Sequence, residues 1–218
     1  MNTTTEHAIH TILVGQSGGP TAAINASLAG VVRAAHAQGL RVLGMRNGIQ
    51  GFLEGNVVDL VEALEFIASE SGSSNHASTN PGEKNLQLLR KTPSSWLGSC
   101  RFKLPEIADN SESTAISPIY QQIDAQLKKY QVDAVLYIGG NDSMDTTHKL
   151  SRYFAQVESH VRVVGVPKTI DNDLEGTDHT PGFGSAARFV ASVTAELIRD
   201  GGVYNSKNVT FIEAMGRD

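Results

Sequence analysis

Four short, largely apolar runs constrain this chain more than anything else in it: "TILVG" at residues 11–15, "AVLYIGG" at 134–140, "VRVVGV" at 161–166 and "NVTFIEA" at 208–214. Their Val- and Ile-rich character marks strands buried on both faces. "RVLGM" at 41–45 is a fifth, weaker candidate. Helical patterns lie between them, at 22–37 with Ile24, Leu28, Val31 and Val32 on one face, and at 116–130, 145–156 and 185–200. Strands that alternate with helices require crossover connections, so the expected fold class is α/β, a parallel sheet covered on both faces. The stretch 69–95 is dense in Ser, Asn, Gly and Pro and reads as a surface excursion with a short helix at 83–90.

At 218 residues and 40% hydrophobic, the chain can bury one good core and a second, partial lobe. Eighteen Lys and Arg against 23 Asp and Glu leave a formal charge of −5, and no run of like charge forms a patch for nucleic acid or a membrane surface. Cys100 is the single cysteine, so no internal disulfide forms. The first residues, "MNTTTEHAIHTILVG", carry neither a basic segment nor a long apolar run, and a cytoplasmic location is the expectation.

Open parallel sheets bind ligands beyond the carboxyl ends of their strands, and four such ends carry unusual residues here. After the first comes "GQSGGPTAAINA", where Gly15, Ser17, Gly18 and Gly19 make a turn that opens into a helix. Glycines there admit a phosphate to backbone N–H groups, although the same turn is also common packing punctuation. "YIGGNDSMDT" repeats the arrangement with Gly139 and Gly140, followed by Asn141 and Asp142, whose oxygens suit a hard cation or, alternatively, cap a helix. Asp145 reads as a helix charge. In "VPKTIDND", Pro167 stops a strand, and Lys168, Thr169, Asp171 and Asp173 follow in an irregular loop. A plain surface turn could carry them. Convergence with the glycine turns would instead assemble phosphate donors, a metal ligand and a base, the set that phosphoryl transfer needs. The fourth end, "FIEAMGRD", sets Arg217 beyond the last strand, where a guanidinium could hold an anion or remain solvated. His10, His36, His76, His148, His160 and His179 show no metal-ligand spacing, and only His179 is near these motifs. Trp96 reads as a packing residue, and Arg101 as solvated surface or a phosphate contact.

"GQSGGPTAAINA", "WLGSCRFKL", "YIGGNDSMDT", "GVPKTIDNDLEGTDHTPGFGSAA" and "EAMGRD" together resemble, in order and approximate spacing, the 6-phosphofructokinase family, and "GVPKTIDNDL" is similar to its pyrophosphate-dependent branch. The resemblance implies a three-layer sandwich, with a phosphoryl-donor lobe over 1–160 and the start of a fructose 6-phosphate lobe, truncated, over 161–218. It implies reversible, Mg²⁺-dependent transfer from pyrophosphate to the 1-hydroxyl of fructose 6-phosphate. By the same resemblance Asp171 is the proton acceptor, assisted by Lys168, and Thr169, Ile170, Met215, Gly216 and Arg217 contact the sugar phosphate. Gly18, Gly19, Arg101, Gly140 and Asp142 belong to the donor, and Asn141 and Asp173 to Mg²⁺. Asn141 departs from the acidic metal ligand of many members. ATP-using members generally carry glycine where Asp142 and Lys168 stand; the carboxylate would repel the α-phosphate of ATP, and the ammonium would neutralise a departing phosphate. The alternatives are an ATP-dependent enzyme and a phosphate-binding fragment without catalysis of its own, since family subunits run well beyond the "MGRD" segment. A kinase of the diacylglycerol or NAD type shares a glycine turn but not "PKTIDNDL". Homo-oligomers, dimeric or tetrameric, are the family expectation.

Overall fold

Backbone pairing realises the alternation of strand and helix. In the computed structural model, residues 8–65, 81–107 and 117–213 are described. They form, in chain order, β1 (Thr11–Gln16), α1 (Ala22–Ala37), β2 (Arg41–Met45), α2 (Gly48–Leu53), β3 (Val57–Asp59), α3 (Leu60–Ala63), α4 (Pro81–Lys91), α5 (Pro118–Tyr130), β4 (Ala134–Gly139), α6 (Asn141–Gln156), β5 (Arg162–Pro167) and α7 (Phe183–Gly201). The strands make one sheet in the order β3-β2-β1-β4-β5. All neighbours are parallel except β3, which runs antiparallel to β2 through Leu43↔Asp59 and Met45↔Val57. That short strand, with α2 and α3, escapes the sequence reading because runs of three, six and four residues are too short to carry a periodicity.

The two-residue period of the strands divides the core. Leu13, Leu43, Val135 and Tyr137 face α2, α5 and α6, packing with Phe52, Tyr120, Ile123, Leu127, Tyr153 and Phe154. Val14, Val42 and Ile138 face the other way, against Ile24, Leu28 and Val32 of α1, Leu60 of α3, and Leu86 and Leu89 of α4. Helices therefore cover both faces, which is the three-layer sandwich expected. Asp133 fastens the sheet's amino edge by accepting hydrogen bonds from the N–H groups of His10 and Thr11, at 2.8 and 2.9 Å.

The chain divides into two compact units, Met1–Pro167 and Lys168–Asp218. The first holds the whole sheet, including β5. In the second, the strand expected at 208–214 does not form: residues 208–213 are irregular, and Phe211 is 90% exposed. A strand exists through its ladder, and no described strand of this unit pairs with that segment. Among the described residues no helix is long and apolar enough to cross a membrane.

Candidate functional site

The chain runs from β1 to β2 on one side and returns to place β4 on the other side of β1. Strand order reverses there, and a crevice opens at the carboxyl ends of the two strands. Both glycine turns sit at that point. Gln16 of β1 is level with Ile138 of β4, and the Ser17 N–H donates to the Ile138 carbonyl at 2.9 Å. Gly18 is left-handed, with φ +82°, and a Cβ there would come within 3.7 Å of the Gly140 nitrogen. Gly139 has no room for a side chain: a Cβ would lie 2.0 Å from Ser143 Oγ and 2.7 Å from the Ser17 carbonyl oxygen. Beyond the turns, α1 starts at Ala22 after Thr21 and α6 at Asn141 after Gly140. Neither helix is capped by a side chain, and the Thr21 and Ser143 hydroxyl oxygens are buried without a partner among the described residues. Two helix N-termini beside glycine-lined backbone make a setting for an anion.

A third segment, residues 92–107, crosses this end. Ser17 Oγ donates to the Cys100 carbonyl at 3.3 Å, and Ser99 Oγ to the Gly18 carbonyl at 2.7 Å. Arg101 follows, exposed, and Lys103 Nζ lies 3.3 Å from the Asp142 carboxylate, both side chains largely in solvent. Further on, the buried ammonium of Lys149 meets Asp145 at 2.8 Å and Glu106 at 2.6 Å, and donates to the Leu104 carbonyl at 3.2 Å. The two carboxylates raise its pKa to about 12. Beneath the segment Tyr137 is fully buried, its phenol pKa raised by that burial, with its Oη 3.8 Å from Cys100 Sγ.

In the second unit, Lys168 to Asp173 form a braced loop. Thr169 bridges to Gly182, accepts the Asp171 N–H on its Oγ1 at 3.0 Å, and offers its carbonyl to Thr180 Oγ1 at 2.8 Å. Asn172, left-handed at φ +56°, separates the two aspartates. Its side chain donates to the Asp178 carbonyl at 3.1 Å and accepts the Thr180 N–H at 3.0 Å. Asp171 and Ile170 are exposed. Lys168 is buried, which lowers its pKa, with the Asp171 charge acting in the opposite direction.

Gly18, Gly19, Gly140, Asn141, Asp142 and Arg101 thus belong to one end of one sheet, and Lys168, Thr169, Ile170, Asp171 and Asp173 to one loop. One correction concerns α6. It begins at Asn141, four residues ahead of the expected start, so Asn141 and Asp142 are first-turn helical residues. Gly140 can lead straight into the helix because its extended φ of −88° and ψ of −158° suit a cap position. Asp145 is the helix charge expected, paired with Lys149. Trp96 packs as expected, beneath the Arg46 guanidinium at 5.4 Å. Met215, Gly216 and Arg217 lie outside the described residues. Among the described residues no three His, Cys, Asp or Glu side chains cluster as a metal cage. Sequence reasoning missed the side chains that brace each segment within its own unit, Gln16, Asn25, Ser99 and Lys103 at the sheet end and Asn172 in the loop; Gln16 and Asn25 stood inside the quoted glycine motif.

Residues 11–218 match the family described as Phosphofructokinase. A pyrophosphate--fructose 6-phosphate 1-phosphotransferase of Xanthomonas campestris pv. campestris (strain B100) is 38% identical over 208 residues, which cover 94% of this chain and 44% of that protein. The crystal structure of a pyrophosphate-dependent phosphofructokinase from Nitrosospira multiformis superposes with a TM-score of 0.69 at 34% identity, over 88% of this chain and 42% of that one. An ATP-dependent 6-phosphofructokinase of Aliivibrio salmonicida (strain LFI1238) is 33% identical, with 51% of its length covered. The chain spans about half the length of the relatives it matches.

Proposed function

The chain belongs to the phosphofructokinase family, and on that premise we propose that it serves phosphoryl transfer from pyrophosphate to the 1-hydroxyl of fructose 6-phosphate. One observation carries the donor half of this reading. Two uncapped helix N-termini and two side-chain-free glycines stand at the switch point between β1 and β4, with Arg101 on the segment tied across them. Phosphate charge is met there by backbone N–H groups and a guanidinium. Asp142, in the first turn of α6, adds a carboxylate that disfavours the further phosphate of a nucleotide. The acceptor half rests on the 168–173 loop. Asp171, exposed and with its backbone fixed on Thr169, takes the hydroxyl proton, and Lys168 offsets the charge of the departing phosphate. Thr169 and Ile170, with Met215, Gly216 and Arg217, are assigned to the sugar phosphate.

Asn141 in the first unit and Asp173 in the second are the oxygen donors assigned to Mg²⁺, each considered within its own unit; this ion takes one or two protein oxygens with substrate phosphates in preference to a dedicated cage. When bound, it would neutralise charge between phosphate oxygens. Cytoplasmic action and a homo-oligomeric state belong to the same proposal, the latter checked by sedimentation.

The test is fructose 1,6-bisphosphate formation with Mg²⁺ and fructose 6-phosphate, offering pyrophosphate and ATP in turn. Turnover with pyrophosphate that falls about 10²–10⁴-fold in Asp171→Ala is expected, and turnover with ATP alone would reverse the donor assignment. Because the chain covers 44% of its Xanthomonas relative, a second reading is phosphate binding without independent turnover. Pyrophosphate binding by calorimetry in a chain that produces no bisphosphate would establish it.

A further inference from the structure

Two buried amides lie beneath the donor turns and take no part in the chemistry above. Gln16 is fully buried and Asn25 is 1% exposed. A primary amide has two donor hydrogens and two acceptor lone pairs, and Gln16 uses all four. Its Nε2 donates to the Ile24 carbonyl at 3.0 Å and to Asn25 Oδ1 at 3.1 Å, while its Oε1 accepts from Ser95 Oγ at 3.1 Å and the Leu97 N–H at 2.8 Å. Asn25 uses three: Oδ1 also accepts the Trp96 N–H at 2.9 Å, and Nδ2 donates to the Thr92 carbonyl at 2.9 Å. Rotating either amide by half a turn would set N–H against N–H, so the network has one orientation.

Sealing the core would need only apolar side chains of the same size. What the amides add is register, because their bonds go to the main chain of Thr92, Trp96 and Leu97 and to the hydroxyl of Ser95. The Asn47 N–H holds the Leu97 carbonyl from the other side at 2.8 Å. Gly98, at φ +81°, turns the chain where a Cβ would meet Asn47 Nδ2 at 2.5 Å. Three residues later comes Arg101, after Ser99 and Cys100 have been tied to Gly18 and Ser17.

We propose that the Gln16–Asn25 amide pair is a positioning device that holds residues 92–101 against the end of β1 and so sets Arg101 at the donor phosphates. The Arg101 half rests on the donor reading above; the loop-holding half stands on the hydrogen bonds alone. Both can be read through Cys100, the chain's single cysteine, which lies on this segment with its thiol against Tyr137.

The experiment follows the rate at which an aromatic disulfide labels Cys100 in the full chain, with and without Mg²⁺–pyrophosphate, with circular dichroism to verify folding. Losing buried hydrogen bonds raises the open population of the loop, so Asn25→Ala should label roughly tenfold faster. It should also need roughly tenfold more pyrophosphate for the protection seen in the wild type. Asn25→Asp keeps the acceptor for Trp96 and Gln16 but sets a buried carboxylate against the Thr92 carbonyl, and should label at least as fast as Asn25→Ala at neutral pH. If Asn25→Ala does not fold, Ser95→Ala removes only the hydroxyl bonded to Gln16 and the Gly98 carbonyl, and should label about threefold faster. Unchanged labelling in a folded variant overturns the proposal. So does faster labelling with undiminished pyrophosphate protection. A wild-type chain that pyrophosphate does not protect overturns the donor reading and the Arg101 half with it, while the labelling rates still decide whether the amides hold the loop.

Discussion

Gly139 and Gly18 need to be glycine for different reasons, and the difference is measurable. At Gly139 a methyl group would overlap Ser143 Oγ and a backbone carbonyl, so Gly139→Ala must push β4 away from α6, at about 1–3 kcal/mol. At Gly18 the nearest atom leaves room, and the obstacle is the left-handed backbone, worth about 1–2 kcal/mol for Gly18→Ala. Urea denaturation should therefore show Gly139→Ala partly relieved by a second change, Ser143→Gly, and Gly18→Ala indifferent to it; equal responses would refute the distinction. Lys149 makes a prediction about pH. Its folded pKa is raised to about 12 from the ordinary 10.5, so the folded state holds that proton more tightly than the unfolded chain. The stabilisation is complete below pH 10.5 and disappears as pH climbs through the raised value. The thermal midpoint should fall over that window in the wild type and fall less steeply in Lys149→Met.

At the scale of elements, α7 stands apart. It runs for 19 residues without one buried side chain, and Phe189 and Ile198 are 68% and 66% exposed. A helix without a packed face depends on intrinsic propensity, so its amides should exchange at least tenfold faster than those of α1, whose Ile24, Leu28 and Val32 are fully buried. Equal protection in hydrogen exchange would refute this. The contrast also explains what the sequence disclosed. β1, β2, β4 and α1 were legible to within a residue or so because their side chains are sorted by the core they build; β5 was legible from its Val-rich run, although none of its side chains is buried on both faces as expected. The start of α6 was misjudged because Asn141, Asp142 and Ser143 look like a turn, and helical geometry there comes from Gly140 at the cap and Ser143 against Gly139. The expected strand at 208–214 has strand-like residues but no ladder. At the site, the glycines and charged groups stood out by composition. The amides of Gln16 and Asn25 did not, because their importance lies in bonds to residues 92–97, distant in sequence; that of Asn172 did not, because its bonds to Asp178 and Thr180 lie in an irregular loop without periodicity.

For the molecule as a whole, burial is uneven. Every buried hydrophobic side chain among the described residues lies between Leu13 and Phe154, within the first unit. Apolar burial is the main stabilising contribution, so a chain ending at Pro167 should retain a cooperative unfolding transition. Its thermal midpoint should lie within about 4 °C of the full chain, the shift that follows from about 1 kcal/mol at this size. A midpoint lowered far beyond that, or loss of cooperativity, would show that the second unit supports the sheet.

The same unevenness gives Trp96 an unusual standing. It is the chain's only tryptophan, its ring lies beneath the Arg46 guanidinium and its backbone N–H donates to Asn25 Oδ1. All indole fluorescence from the protein therefore originates on the segment that leads to Arg101, and the colour and intensity of that emission report on the segment tied across the end of β1 without any attached dye.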